Sequence, residues 1–157
     1  MSAPKSVVKV NKNGVTYTSN VDAAKYYIHE LSRAALRDVG KYVKKRWRET
    51  YYSHFEKHSG AGGKATTFQV ISSKTTTAPR VEIGLPHSHR GKEVEGFYAY
   101  FQEFGTSRQP RLGLLNKLVE SNIPQIVEIE SKYLSALEDE AKALSLVDEG
   151  DYEDDGE

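Results

Sequence analysis

The chain has 157 residues, enough for one domain with a sizeable core, and its 22 basic and 22 acidic residues cancel to a formal net charge of zero. It contains no cysteine, which excludes a disulfide framework and a thiolate metal site. Its apolar runs are too short to span a membrane, and the start Met-Ser-Ala-Pro-Lys-Ser lacks the apolar core of a signal peptide, so the sequence predicts a soluble protein made in the cytoplasm.

The zero net charge conceals a split. Residues 1–64 hold 13 Lys/Arg against 5 Asp/Glu, a net of +8. Residues 65–119 hold 7 against 4, a net of +3, and residues 120–157 hold 2 against 13, a net of −11. Such polarity favours head-to-tail association of copies, basic part to acidic part. The plainer reading is a basic helix plus an acidic tail that aids solubility.

Ser6–Val10 and Val15–Thr18 are short β-rich runs separated by Asn13-Gly14, whose residues tolerate positive φ, so a hairpin is expected. Asn20 or Asp22 can cap the next element. Ala24, Tyr27, Ile28, Leu31, Ala35, Val39, Val43 and Trp47 then follow helical spacing, with lysines and arginines on the other side. The pattern predicts an amphipathic helix to about His54, longer than a compact domain of this size, so that Gly40 bends it or one end projects. Ser59–Lys64 reads as a flexible glycine loop. Residues 66–72 and 80–85 read as two strands joined by 74–78, and 86–92 as a polar loop.

Tyr98–Arg108 reads Tyr-Ala-Tyr-Phe-Gln-Glu-Phe-Gly-Thr-Ser-Arg. Its period fits a short helix or a strand equally. Glu103 stands among Tyr100, Phe101 and Phe104, where a carboxylate must reach water or find a partner. Leu112–Val119 forms an apolar connector. Asn122 can cap a second long helix with Pro124 in its first turn, and Ile126, Val127, Tyr133, Leu134, Leu137, Ala141 and Leu144 carry its apolar stripe, broken by Glu130. From Asp148 the chain is acidic and expected to be disordered. The expected architecture is α+β: two long helices packed on a small antiparallel sheet, an N-terminal β-hairpin, one domain over 1–147, and a disordered acidic C-terminal tail over 148–157.

Catalytic and cofactor chemistry finds little footing. Gly60–Thr66 lacks the glycine that a phosphate loop needs five residues before Gly63, where His58 stands, and has Ala65 where Ser or Thr should follow the lysine. His54 and His58 are four apart without a third ligand nearby, and His87 and His89 lie in the polar loop. No serine sits in a nucleophile turn, and Glu103 has no evident acid–base companion. The chain reads as neither an enzyme nor a binder of metal or cofactor. Lys41, Lys44, Lys45, Arg46 and Arg48, interleaved with Trp47, Tyr51 and Tyr52, form a basic aromatic patch able to hold phosphate backbone; the plainer reading is a solvated helix face with Trp47 in the core.

Tyr98, Ala99, Glu103, Phe104, Gly105, Thr106 and Pro110, placed after a helix and two strands and before a C-terminal helix, resemble the head–tail joining or tail-completion (neck) proteins of long-tailed bacteriophages. The likeness covers the layout from about Val7 to Leu144, and its specific part is the short motif. Members usually follow the turn with a Pro-Phe-Leu-Arg-Pro-Ala-like stretch, where this chain has Pro110-Arg111-Leu112-Gly113-Leu114-Leu115. The resemblance implies a virion subunit forming a homo-oligomeric ring, commonly hexameric, between the capsid connector and the tail. It contacts connector or stopper proteins on one side and tail-terminator or tail-tube proteins on the other, with DNA passing through, after assembly in the host cytoplasm.

On that reading Tyr98, Tyr100, Phe101, Glu103, Phe104, Gly105, Thr106 and Arg108 form the assembly motif. Lys41, Lys44, Lys45 and Arg48 face DNA or a neighbouring subunit. Glu103 pairs with a basic group such as Arg108 or one on a neighbour, Gly105 permits a sharp turn, and Thr106 and Ser107 secure it. The alternatives are a tail-terminator or tail-tube protein and, in another class, a nucleic-acid-binding accessory protein using the basic patch.

Overall fold

A computed structural model describes residues 7–10, 16–19, 21–55, 61–72, 78–85, 88–89, 92–93, 96 and 98–138. Asn13-Gly14, Asn20, His58, Gly60, residues 74–77, His87, residues 139–147 and the acidic stretch 148–157 lie outside them.

The architecture is α+β. The spine is α1, Val21–His54, an unbroken helix of 34 residues and about 51 Å. Leu31, Ala35, Val39, Val43, Trp47 and Tyr51 are buried along it at a spacing of four, with Ala34 beside them, which is why so long a segment stays helical. Asp22 stands in its first turn, where a carboxylate complements the helix dipole. Against α1 lies an antiparallel pair, β3 (Thr67–Ile71) and β4 (Arg80–Gly84), in the register Thr67↔Gly84 to Ile71↔Arg80. Phe68, Val70, Val81 and Ile83 are half-buried and alternate with exposed Thr67, Gln69, Arg80 and Glu82, the pattern of a sheet with one covered face.

Gly40 lies within the unbroken helix. A Cβ there would lie 2.3 Å from the Phe68 ring, so the missing side chain lets the sheet's aromatic rest on the helix backbone. The expected flexible glycine loop is otherwise: Ala61–Lys64 forms one helical turn, α2, with Ala61, Gly62 and Gly63 buried. A Cβ at Gly62 would meet the Tyr51 hydroxyl at 2.3 Å, and one at Gly63 the Tyr52 ring at 2.5 Å. These glycines permit close packing rather than mobility. Trp47, 1% exposed, donates its indole N–H to the Gly62 carbonyl at 3.3 Å.

The aromatic motif is α3, Tyr98–Phe104. The expected connector is largely a helix, α4 (Leu114–Ser121), because Leu115 and Leu118 bury toward α1 at helical spacing. The second long helix is shorter than its periodicity suggested within the described residues. It runs as α5 (Ile123–Leu134) and tightens into a 3-10 turn, Ser135–Glu138, and it packs along α1. Pro124 sits in its first turn, as expected. Asn122 stands at the N-cap of α5, as expected, but its side chain makes no capping bond there and serves α4 instead: its Nδ2 donates to Leu118 O at 2.8 Å, and its Oδ1 accepts from Tyr42 OH at 2.7 Å. Tyr133 donates its hydroxyl to Asp38 of α1.

The main core gathers Val39, Val43, Trp47, Tyr51, Ala65, Leu85, Ala99, Leu115 and Leu118; burying a side chain such as Val43 or Leu118 stabilises by about 1.5–3 kcal/mol. A smaller cluster joins Leu31, Ala34 and Ala35 to Tyr133 and Ala136. Two further antiparallel pairs stand apart from the β3–β4 sheet. One is the expected N-terminal hairpin, β1 (Val7–Val10) with β2 (Thr16–Ser19). The other, β5 (Ser88–His89) with β6 (Lys92–Glu93), lies in the stretch read as a polar loop.

Candidate functional site

The motif resolves into a joint between two helices. α3 ends because Gly105 takes φ 79°, a left-handed conformation that breaks the helix while its N–H still bonds Phe101 O at 2.8 Å. A Cβ at Gly105 would stand 2.9 Å from Arg111 N and 3.1 Å from Gln109 O. Thr106 and Gln109 then exchange backbone hydrogen bonds of 2.9 and 3.3 Å across a tight turn. The Thr106 hydroxyl accepts from Arg108 N at 3.2 Å and Gln109 N at 3.1 Å. Thr106 therefore secures the turn as expected, whereas Ser107 is exposed at its tip and takes no part in those bonds.

The chain then returns alongside α3. Leu112 N bonds Gln102 O at 3.1 Å, Gly113 N bonds Glu103 O at 3.2 Å, and α4 begins. Glu103 is 2% exposed, and its Oε1 accepts the Leu115 N–H at 3.0 Å. That amide is one of the first four of α4, which have no partner within their own helix, and the positive end of the helix dipole favours a carboxylate there. The anticipated pairing of Glu103 with Arg108 does not occur: the carboxylate points inward at a helix end, while Arg108 is exposed on the turn. Glu103 Oε2 is buried without a hydrogen-bond partner, a cost of about 1–3 kcal/mol that limits the net gain.

A polar chain fastens the joint to the spine. Tyr51 donates its hydroxyl to Gln102 Oε1 at 2.7 Å, and Gly62 N donates to Tyr98 OH at 3.0 Å. Burial, reinforced by the neighbouring phenols of Tyr98 and Tyr52, pushes the Tyr51 hydroxyl up to about 12. On the outer side the Tyr100 ring packs at 5.7 Å from Phe101 and 4.7 Å from Phe104. Phe104 remains 52% exposed, beside the exposed run 106–111 with Arg108 and Arg111. The predicted motif residues thus divide. Glu103, Gly105, Thr106 and Tyr98 hold the joint, while Phe104 and Arg108 stand outside it.

Lys41, Lys44, Lys45 and Arg48 fall within an arc of roughly 100° on α1. Lys45 and Arg48 are exposed, and Lys41 and Lys44 partly so. Of the interleaved aromatics, Trp47 and Tyr51 are in the core, so neither is placed to stack on a base, and Tyr52, half-buried, packs its ring against Gly63. Among the described residues no three His, Cys, Asp or Glu gather as metal ligands, and no helix is long and apolar enough to cross a membrane.

Three contacts escaped the sequence reading. Leu115's amide as the partner of Glu103 was hidden because a backbone N–H has no residue signature. The Tyr42–Asn122 bond joins positions too far apart in sequence for periodicity to link them. The third is a polar clasp in which Ser72 Oγ lies 2.9 Å from His29 Nε2 and Glu30 Oε1 lies 3.2 Å from His29 Nδ1. A hydroxyl, an imidazole and a carboxylate in this order also make up nucleophilic triads. Here Glu30 is drawn to Arg33 at 2.9 Å, and the cluster ties the end of β3 to the side of α1.

Comparison with protein-family models, curated proteins and solved structures finds no match for this chain. The family expectation rests on the motif and the layout.

Proposed function

We propose that this chain is a structural subunit of the neck of a long-tailed phage. It forms a ring that completes the tail and joins it to the capsid connector, and it acts by assembly without catalysis. One observation carries the reading. The motif spends a buried carboxylate, a positive-φ glycine and a hydroxyl-tied turn on holding a surface knuckle rigid, and that knuckle presents an exposed aromatic beside two arginines. Rigid loops bearing exposed aromatic and arginine side chains suit protein contacts, where such residues dominate binding energy. The basic face of α1 suits DNA passing through a ring, since phosphate neutralisation needs no sequence reading.

Deleting the gene in the phage that carries it is expected to give filled heads and tails that do not join. The native chain supplied in trans restores joining, and Phe104→Asp, folded but altered on the knuckle, does not. Normal infectious particles from the deletion overturn the reading. Immunogold label along the tail instead of at its head end would assign the chain to the tail tube. Were the accessory nucleic-acid role correct, purified protein would bind duplex DNA with a steep salt dependence lost on converting Lys44, Lys45 and Arg48 to Glu. With Trp47 and Tyr51 in the core, neither would add base stacking to such binding.

A further inference from the structure

Two parts of the molecule are complementary. The first is an open apolar groove of about 220 Å³ between α1 and α5, with Ile28 and Leu31 on one wall and Tyr133, Leu134 and Leu137 on the other. Ile28 is 50% exposed and Leu134 64%, and the apolar surface continues along α5 through Val127, 51% exposed. Ile123, Val127, Glu130, Leu134 and Leu137 recur at alternating spacings of four and three, the seam of a helix that expects to be covered. α5 already buries its other stripe, Ile126, Ile129 and Tyr133, against α1, so the outward seam is additional to what the fold needs. The wall formed by α5 carries Glu128 and Glu130 against Lys132, and Glu130 is the charged residue that lines the groove.

The second is the β1–β2 hairpin. Its strands pair with each other and join no other sheet among the described residues. A lone two-stranded hairpin is marginal in water and needs a surface to pack on. Residues 1–20 supply valines at 7, 8, 10 and 15, three lysines at 5, 9 and 12, and no acidic residue. The hairpin is therefore apolar and basic where the groove is apolar and acidic, and complementary charge selects and steers such a contact.

We propose that this groove is the docking site for the N-terminal hairpin of a second copy of the chain. The same chain's hairpin is ill placed for it. β2 ends at Ser19 and α1 begins at Val21, so one residue joins them. The groove begins about 10 Å further along α1, and with the chain's own hairpin in place Ile28 and Leu134 stay 50% and 64% exposed. A neighbour's hairpin meets no such constraint. The contact is heterologous, one copy's amino-terminal end on the next copy's α5, so it propagates around a ring or along a filament. It needs only a second copy and does not depend on the virion role.

The chain's lack of cysteine gives a clean test. Chains carrying Val8→Cys are mixed with tagged chains carrying Leu134→Cys and treated with a short bis-maleimide, and mixed dimers are counted on a denaturing gel. Gln125→Cys, on the exposed side of α5, is the control. Docking raises the local concentration of the two thiols, so mixed dimers at position 134 are expected about tenfold faster than at 125. Added salt and Glu130→Lys are expected to slow them, by screening and by charge reversal. Equal rates at 134 and 125 overturn the proposal. So does a cross-link that forms only inside a single chain carrying both substitutions, which would mean that the hairpin closes on its own groove. Leu134 is an exposed side chain, so the Leu134→Cys chain keeps its fold. Circular dichroism of each variant checks this before mixing.

Discussion

The joint at 98–115 and the outer stripe of α5 are both departures from the simple rule that apolar goes inside and polar outside, and the chain treats them differently. At the joint a carboxylate is buried, and local structure answers one of its oxygens and its charge: the amide of Leu115, the positive end of α4 and a glycine that lets the backbone double back. On α5 apolar side chains are left in water, and the described part of the chain supplies nothing to cover them. A buried polar group without a partner costs folding free energy in every isolated molecule, so it is answered within the molecule. An exposed apolar stripe costs little until a partner arrives, so it can wait for a second molecule. Substitutions at the joint should therefore act on stability, and substitutions on the stripe on association.

The largest effect is expected from Gly105→Val. The substitution places a β-branched residue at φ 79° with its Cβ within 2.9 Å of Arg111 N, so both the conformation and the space are wrong. A loss of about 3 kcal/mol or more is expected, which for a chain of this size lowers Tm by roughly 6–12 °C. Thermal unfolding of the purified variant measures it. A native-like Tm would remove Gly105 from the joint's mechanics and leave the turn to Thr106 alone.

Glu103→Ala comes next. It removes the capping acceptor of α4 and its favourable charge at the helix end, and it also removes the unpartnered Oε2, so a net loss of about 1–2 kcal/mol is expected in urea unfolding. Glu103→Gln keeps an acceptor oxygen for Leu115 without the charge and should fall between the native chain and the alanine variant. If alanine is instead neutral, the contrast between the joint and the α5 stripe is lost.

How far the sequence reveals this follows from what each feature leaves in it. The α1 stripe from Leu31 to Tyr51 is periodic over many turns, so helix and core are both readable. Gly105 is readable as a turn because glycine after an aromatic helix end has few other uses. Gly62 and Gly63 are misread as a flexible loop, and the close approach at Gly40 is not readable. What they do depends on Phe68, Tyr51 and Tyr52 reaching them, and glycine in sequence signals freedom and close approach alike. Asn122 is a helix-end residue in either reading, but sequence does not say which of two abutting helices it serves. Trp47 belongs equally to an aromatic patch and a core by spacing; only its 1% exposure decides. The exposed seam of α5 is hidden for a related reason: Ile126 and Val127, or Tyr133 and Leu134, are all apolar, and sequence merges two stripes that the fold separates into one buried and one bare.

Tyr51 sharpens the contrast through pH. Its hydroxyl titrates at about 12 in the folded chain against about 10 in an unfolded one, because burial disfavours the phenolate. Between those values the folded state holds a proton that the unfolded state has released. The associated stability is therefore complete below pH 10 and is lost as pH rises through 10 toward 12. Tyr51→Phe should reduce this alkaline loss and weaken stability near neutrality by about 1 kcal/mol, the Tyr51–Gln102 hydrogen bond being gone. Urea midpoints of the two chains at pH 8 and pH 11 measure both effects. A parallel decline in both would mean that Tyr51's titration contributes nothing there.

Leu134→Asp should change stability least. The side chain is 64% exposed, so its removal forfeits little buried area, and surface substitutions of this kind usually stay within about 0.5 kcal/mol. The new carboxylate lies near Glu130, four residues before it on the helix, and that repulsion is worth only a few tenths of a kcal/mol. Sedimentation velocity should nevertheless show a clear loss of self-association, because a charge now stands where an apolar contact formed. A large fall in Tm with Leu134→Asp would show that this side chain supports the isolated fold. The stripe and the joint would then both be structural, and the bare face of α5 would no longer require a partner.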